Sequence, residues 1–113
     1  MLLKYRDAAG QLKTFRLKTM TTAKAVTIGR AKEADISLDD PKASRINAAI
    51  RYWDDIFIVR DMKSNNGTYL NGQKIEVAKL SGNDVLKVGE TEIHVSIEES
   101  SSSEVTPTSK PGA

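Results

Sequence analysis

The feature that most constrains the fold is a series of short segments whose apolar residues recur at every second position. LKTFRL (12–17) and EIHVSI (92–97) alternate most clearly, with one apolar and one polar face. Similar segments predict further strands over MLLKYR, AVTIGR, INAAIRYW, IFIVRDM and DVLKVG. Gly-rich and Asn-rich turn signals separate these segments at intervals of about ten residues. The pattern predicts an all-β fold, either a sandwich or a barrel.

A change in composition separates residues 1–97 from residues 98–113. The chain of 113 residues has the usual size of one domain. Its last segment is rich in Ser, Thr and Pro, and Val105 is the only branched apolar residue there. Such a segment buries too little apolar surface to offset its ordering entropy, so we expect a disordered tail or linker. A second interpretation makes Thr106, which precedes Pro107, a phosphorylation site.

Composition also excludes several classes of protein. The absence of cysteine rules out disulfides and thiolate metal sites and fits a reducing compartment. Residues 1–97 contain 16 Lys and Arg against 12 Asp and Glu, a net charge of +4 that is too small and too interspersed for a nucleic-acid-binding stripe. No apolar run approaches the roughly 20 residues of a membrane helix, and the N-terminus is too polar for a signal peptide. We therefore expect a cytoplasmic protein, or a cytoplasmic part of one, that binds neither nucleic acid nor membrane.

Three polar clusters interrupt the strands, at residues 27–30, 42–45 and 64–68. Each lies at a strand end, so a sandwich can bring all three to the same end. Together they would supply two guanidinium groups, side-chain hydroxyls and two primary amides, and no carboxylate. Arginine presents a fixed fork of donors to phosphate oxygens, and an Asn amide can pair with a peptide N–H and C=O at once. The clusters therefore suit a phosphate carried on a peptide.

The order and spacing of these clusters resemble the forkhead-associated (FHA) domain. The resemblance covers Leu2 to Ile97, and 13 residues separate its first two motifs. The motifs are Gly29-Arg30, Ser44-Arg45, Asn66-Gly67-Thr68 and Asn71-Gly72. The resemblance implies a β-sandwich of about eleven short, mostly antiparallel strands, whose loops at one end bind phosphothreonine.

The resemblance also implies a role for each residue of the site. Arg30 would contact the phosphate or the nearby peptide, and the Ser44 hydroxyl would bond a phosphate oxygen. Arg45 would add a phosphate or peptide contact. Asn65 falls where the family often has a Thr or Ser that touches the phosphate, and Asn66 would pair with the peptide backbone.

Three further residues would shape the binding loops. Gly29 and Gly67 let the backbone make close or left-handed turns. Asn47 is a departure, because the family usually has a histidine three residues after the serine, which supports the loops from beneath. Asparagine can also donate and accept hydrogen bonds, but its side chain is shorter than that of histidine. This departure therefore affects the preorganisation of the binding loops.

These features predict a phosphopeptide-binding signalling module without cofactor or metal. The partner would be a phosphothreonine-containing protein, such as a Ser/Thr kinase or its substrate, or another part of the same chain, and the domain would be monomeric. The alternative, motivated by Asn47, is a phosphate-independent interaction scaffold of the same fold. An enzyme is not expected, because the sequence has no nucleophile–base set and no Gly-Lys-Ser phosphate loop.

Other conspicuous residues have structural interpretations. Asn71-Gly72 is the strongest kind of hairpin-turn signal and is given no ligand role, whereas Asn66-Gly67 combines a turn with binding. His94 is expected on the exposed face of its strand, opposite Ile93, Val95 and Ile97. Hairpin packing is expected of the aromatic residues around the Asp54-Asp55 turn, which are Tyr52, Trp53 and Phe57.

Overall fold

The computed structural model describes residues 1–7, 9–17 and 25–97, and this part of the chain contains eleven strands and no helix. The described residues therefore include no helix that is long and apolar enough to cross a membrane. The strands are β1 (Leu2–Arg6), β2 (Leu12–Arg16), β3 (Val26–Gly29), β4 (Ile36–Ser37), β5 (Ala48–Trp53), β6 (Ile56–Asp61), β7 (Thr68–Leu70), β8 (Gln73–Ile75), β9 (Val77–Leu80), β10 (Val85–Val88) and β11 (Thr91–Ser96). The expected disordered tail, residues 98–113, lies outside the described residues.

The strands form two sheets that pack as a sandwich. Sheet A has six strands in the order β2-β1-β11-β10-β7-β8, and sheet B has five in the order β4-β3-β5-β6-β9. All neighbouring pairs with a defined register are antiparallel except β3 and β4, which are parallel. The prediction of an all-β sandwich with about eleven mostly antiparallel strands is confirmed, and the barrel alternative is not what forms.

One hydrophobic core lies between the sheets. Along β1, β6, β10 and β11, alternation sends every second side chain into it, which is why the apolar residues of these segments recur with a period of two. The fully buried aliphatic residues include Leu3, Leu86, Val88 and Ile93 from sheet A and Ile28, Ile36, Ile50, Val59 and Leu80 from sheet B. Each such side chain contributes roughly 1.5–3 kcal/mol by leaving water.

Four strands, β4, β7, β8 and β9, were not predicted from the alternation. They have two to four residues each, and the two or three residues of β4, β7 and β8 are too few to show a period. The last predicted strand also ends earlier than its pattern suggests. β11 stops at Ser96, and Ile97 beyond it is 66% exposed, in contrast to buried Ile93 and Val95.

The hairpin at Asn71-Gly72 forms as predicted. Both residues have positive φ, 52° and 86°, as a type I′ turn requires. The Asn71 side chain secures the turn, because its Oδ1 accepts from the Val85 N–H at 2.9 Å and its Nδ2 donates to Asp84 at 2.9 Å. This Asn-Gly pair therefore has a structural role, which is to form and secure the turn.

The aromatic residues of the β5–β6 hairpin divide into two groups. The rings of Tyr52 and Phe57 pack with centroids 4.9 Å apart, as predicted. Trp53 is 73% exposed, so the prediction that it packs in the hairpin is wrong. Its strand position explains the difference, because Tyr52 points to the core and Trp53 to the opposite face. His94 is exposed, as predicted.

The topology collects one set of loops at a single end of the sandwich. β3 ends at Gly29, β5 begins at Ala48, β6 ends at Asp61 and β7 begins at Thr68. Because β5 is antiparallel to both β3 and β6, the loops at these four positions lie together. The three polar clusters are in these loops. The two ends of the described chain lie at the other end of the sandwich, where Leu2 pairs with Ser96.

Candidate functional site

A close backbone approach holds the loop after β3 against the loop before β5. The Arg30 N–H donates to the Ser44 carbonyl at 2.9 Å, and the Ala31 N–H donates to the Arg45 carbonyl at 3.0 Å. A Cβ on Gly29 would lie 2.1 Å from the Arg45 carbonyl oxygen, so this approach requires glycine. The close approach is what places Arg30 beside Ser44.

The Arg30 side chain is exposed and anchored at its inner nitrogen. Its Nε donates to the Ala43 carbonyl at 3.1 Å, which fixes the plane of the guanidinium group. Within the described part of the chain, no hydrogen bond or ion pair is made by its two terminal nitrogens. Arg30 therefore presents two parallel donors, the arrangement that matches phosphate oxygens.

Ser44 joins the second cluster to the third. Its Oγ accepts from the Asn65 N–H at 2.9 Å, so the hydroxyl proton is left to donate to a ligand. Nearby, Asn66 Nδ2 donates to the Lys42 carbonyl at 2.8 Å. The Asn66 amide is held by this bond, and its carbonyl oxygen is available to accept a peptide N–H.

Arg45 and Asn65 are arranged differently from Arg30 and Ser44. Arg45 is exposed, and its guanidinium lies 3.7 Å from the carboxylate of Glu33, which is also exposed. Asn65 contributes its backbone N–H to Ser44 and exposes its side chain. The structure thus brings Arg30, Ser44 and the two asparagines together, whereas Arg45 is paired with a carboxylate that the sequence did not single out.

Asn47 lies beneath these loops, fully buried, and links them. Its Oδ1 accepts from the Ser44 N–H at 2.9 Å. Its Nδ2 donates to the Gly67 carbonyl at 3.2 Å and to the Thr68 hydroxyl at 3.0 Å. The amide therefore uses its acceptor and both of its donors across two loops. Loop support by the residue at this position, which the resemblance assigns to histidine, is supplied here by asparagine.

Asp61, at the end of β6, organises the third cluster and was not predicted. It accepts a short hydrogen bond from the Ser64 hydroxyl and one from the Thr68 hydroxyl at 2.7 Å. These two hydroxyls therefore face Asp61, and the Thr27 hydroxyl donates to Asp35. Within the described residues, Ser44 thus supplies the one hydroxyl that the three clusters offer to a ligand. The spacing Asp-x-x-Ser is typical of an aspartate whose side chain hydrogen-bonds within its own turn, and it was the sequence signal for this role of Asp61.

The ionisation of Asp61 ties this support to pH. Burial raises the pKa of its carboxyl, but hydrogen bonds from Ser64, Thr68 and the backbone outweigh burial and hold the pKa below its ordinary value. Because the pKa of Asp61 is lower in the folded state, its ionised carboxylate stabilises the fold at pH values above the ordinary carboxyl pKa. This stabilisation is lost as the pH falls through the lowered pKa of the folded state. The support is complete at neutral pH.

A second carboxylate, that of the buried Asp40, joins the loop before β5 to the β10–β11 turn. It accepts from the Lys42 N–H at 2.9 Å, the Glu90 N–H at 2.8 Å and the Thr91 hydroxyl at 2.7 Å. Burial raises its pKa, and these hydrogen bonds more than reverse the effect, so the pKa lies below its ordinary value. Asp40 is thus structural, and among the described residues no group of three or more His, Asp or Glu is placed to hold a metal ion.

Comparisons with known proteins agree with this geometry. The sequence model of the FHA domain matches residues 26–89. An oxoglutarate dehydrogenase inhibitor of Corynebacterium diphtheriae is 43% identical over 63 residues, which are 56% of this chain and 44% of the inhibitor. The chain therefore spans less than half the length of this relative.

Two solved structures are similar over most of the chain. The FHA domain of the CT664 protein from Chlamydia trachomatis has a TM-score of 0.73 and 32% identity over 86% of this chain and 97% of that one. A structure from an analysis of phosphothreonine-dependent FHA domain interactions has a TM-score of 0.71 and 28% identity over 86% of this chain and 95% of that one. Binding of phosphothreonine is the known function of the family. With the matched sequence, the shared fold and the loops arranged as described, this chain belongs to the FHA domain family.

Proposed function

We propose that the domain binds phosphothreonine in an extended segment of a partner protein. The observation that carries the proposal is the pairing of Arg30 and Ser44. The guanidinium is anchored by Ala43 with both terminal nitrogens unused by the described residues, and the hydroxyl is held by the Asn65 N–H with its proton free. Both groups are donors fixed before any ligand arrives, which lowers the ordering cost of binding.

The remaining groups complete a phosphopeptide site. The carbonyl oxygen of Asn66 accepts a peptide N–H, and Arg45 adds charge once its ion pair with Glu33 opens. A phosphate carries about −1.5 to −2 charges at pH 7, and each hydrogen bond to a charged group contributes roughly 1.5–3 kcal/mol. Three or four such bonds, less the cost of association, correspond to micromolar affinity, about −8 kcal/mol.

The proposal extends to the class of partner. A Ser/Thr kinase or its substrate supplies phosphothreonine, and another part of the same chain is a second source. We propose a monomeric, cytoplasmic binding module without catalytic activity. The phosphate-independent scaffold rested on the absence of the family histidine, and the three hydrogen bonds of Asn47 remove that ground.

Replacing either donor tests the proposal. Arg30→Ala and Ser44→Ala are each expected to weaken binding about tenfold, because each removes at least one hydrogen bond to a charged group. The melting temperature should change little, since both side chains lie at the surface of the loops. A degenerate phosphothreonine library selects the peptide, and fluorescence anisotropy then measures its affinity.

Matched controls separate the site from general effects. Lys4→Ala and Ser96→Ala remove a cation and a hydroxyl from β1 and β11, away from the loops, and should leave affinity unchanged. Unphosphorylated and phosphoserine libraries should give no enrichment. Equal affinity of wild type, Arg30→Ala and Ser44→Ala would refute the assignment of the site.

The Glu33 carboxylate gives a prediction in the opposite direction. Glu33→Gln should raise affinity for the phosphopeptide by up to about fivefold, because it frees Arg45 and removes a negative charge near the phosphate; the upper bound follows from the small size of exposed ion pairs. The gain should shrink at high salt. Asp54→Asn, at a turn remote from the loops, removes the same charge and should have no effect. A loss of affinity in Glu33→Gln would show that Glu33 supports the loop rather than competing with the ligand.

A further inference from the structure

The two outer faces of the sandwich differ in chemistry. The outward positions of sheet A are mainly polar and include Lys4, Thr14, Lys87, Glu92 and His94. The outward positions of sheet B form what we call the β5–β6 face: Thr27, Ala49, Arg51, Trp53, Ile56, Ile58, Arg60, Val77 and Lys79, with Met62 just beyond β6. This face combines apolar and cationic side chains.

Exposed apolar residues concentrate on the β5–β6 face. Of the five large hydrophobic side chains that are exposed among the described residues, three lie here: Trp53 at 73%, Val77 at 50% and Met62 at 42%. Ile56 and Ile58, half-buried, lie between them. Exposed apolar residues scattered singly need no explanation, but a contiguous group rimmed by charge marks an interaction surface.

The charges on this face have one sign. Arg60 stands beside Val77, and Lys79 stands beside Ile58 in the register of β6 and β9, with Arg51 on the other side of Ile58. No Asp or Glu occupies an outward position of β3, β5, β6 or β9. Asp35 lies outside these strands, at the β3 edge, where one of its carboxylate oxygens accepts from the N–H and the hydroxyl of Thr27. The acidic residues Asp54, Asp55 and Glu76 lie at strand ends.

The β5–β6 face is continuous with the phosphothreonine site. Met62 follows β6, its N–H donates to the carbonyl of Asn47 at 2.9 Å, and Ser64 begins the ligand loop two residues later. From Met62 back to Ile56, six residues of β6 extend over roughly 20 Å. A partner held by its phosphothreonine therefore has this face directly beside it.

We infer that the β5–β6 face docks an acidic segment with aliphatic side chains on the same phosphorylated partner, so that recognition has two parts. The inference rests on the proposed function and deepens it. Carboxylates of the segment complement Arg60 and Lys79, and aliphatic groups cover Trp53, Ile58 and Val77. A second copy of this chain would bring like charges together, and one aromatic ring is too few for the stacking by which single-stranded nucleic acids bind.

The test uses phosphothreonine peptides with and without an added segment. The core is the peptide selected from the library; about ten residues of alternating Glu and Leu, enough to span the face at roughly 3.3 Å per residue, are added to its N-terminal or C-terminal side. A Lys/Leu extension and the Glu/Leu segment without phosphothreonine are the comparison probes. Trp53 is the only tryptophan of the chain, so its emission reports burial of the face.

With the Glu/Leu extension on one side, affinity should rise at least about fivefold over the core peptide, because the second contact is intramolecular. Trp53 emission should shift to shorter wavelength with this probe and not with the core. Arg60→Glu combined with Lys79→Glu should abolish both changes and leave the affinity of the core unchanged. Lys4→Glu with Lys87→Glu, the same charge change on sheet A, should preserve them.

Three results would overturn the inference. One is a gain that survives in the Arg60→Glu, Lys79→Glu protein; another is an equal gain from the Lys/Leu extension. The third is a shift of Trp53 emission that the Glu/Leu probes do not cause. If an oligothymidine causes it, the face binds nucleic acid; if a higher protein concentration alone causes it, the face binds a second copy of this chain. If no phosphopeptide binds, the proposed function fails, and the Glu/Leu segment alone at millimolar concentration still tests the face: a shift of Trp53 emission supports it, and no shift overturns it.

Discussion

Gly29→Ala is expected to lower the free energy of unfolding by about 3 kcal/mol or more and to abolish phosphopeptide binding. The new methyl group would lie 2.1 Å from the Arg45 carbonyl oxygen and within 2.9 Å of the Ile46 Cα. These are backbone atoms, so relief requires the two loops to separate. Separation breaks the hydrogen bond from the Arg30 N–H to the Ser44 carbonyl and moves apart the two side chains that we propose as donors to the phosphate. Urea denaturation and peptide anisotropy measure the two effects.

Gly10→Ala is the control for this substitution. Gly10 has φ +81°, and a Cβ there would meet nothing within 4 Å. Its replacement should cost about 1–2 kcal/mol through backbone strain alone and leave affinity intact. If Gly29→Ala costs no more than Gly10→Ala and still binds, the close approach of the loops does not organise the site.

Asn47→Leu is expected to lower the free energy of unfolding by about 2–4 kcal/mol and to weaken phosphopeptide binding at least about tenfold. Leucine has a similar size, but the Ser44 N–H, the Gly67 carbonyl and the Thr68 hydroxyl would each lose a partner. Binding suffers because the two loops that carry Ser44 and Asn66 are no longer joined from beneath.

Two further variants define the cause. Gln73→Leu makes a similar change at an exposed position of β8 and should alter stability by less than about 0.5 kcal/mol. Asn47→Asp keeps the shape and places an oxygen against the Gly67 carbonyl, so it should destabilise the fold as Asn47→Leu does. Wild-type stability and affinity in both Asn47 variants would mean that the loops hold their geometry without this amide.

The fold was predictable where strands are long enough to alternate. β5, β6 and β11 have six residues each, and their inward and outward positions follow from the sequence. β4 has two residues, too few for a pattern, and it exists because β3 offers a parallel edge. The prediction for Trp53 is wrong for a related reason. It rests on the position of Trp53 in a hairpin, whereas the alternation of β5, which turns Tyr52 inward, decides which side chain meets the core.

The residues of the candidate site could be named from the sequence, but the contacts that hold their loops in place could not. Arg30, Ser44 and Asn66 belong to motifs with a fixed spacing, so the sequence indicates them. Asp40 and Asp61 support the loops through contacts made by folding; Asp40, for example, reaches Thr91, which is 51 residues further along the chain. The pairing of Arg45 with Glu33 likewise depends on two loops meeting, which composition and periodicity do not describe.

The register of β1 and β11 has a practical consequence. Leu2 lies opposite Ser96, so a segment attached before β1 or after β11 is joined at the end of the sandwich opposite Arg30 and Ser44. The two ends are separated by about 20 Å, roughly the length of a six-residue strand. A tag, a surface tether or a neighbouring domain joined at either terminus therefore leaves the binding loops facing solution. Because its termini and its binding loops lie at opposite ends, the domain is suited to immobilisation on arrays and to insertion within a longer polypeptide.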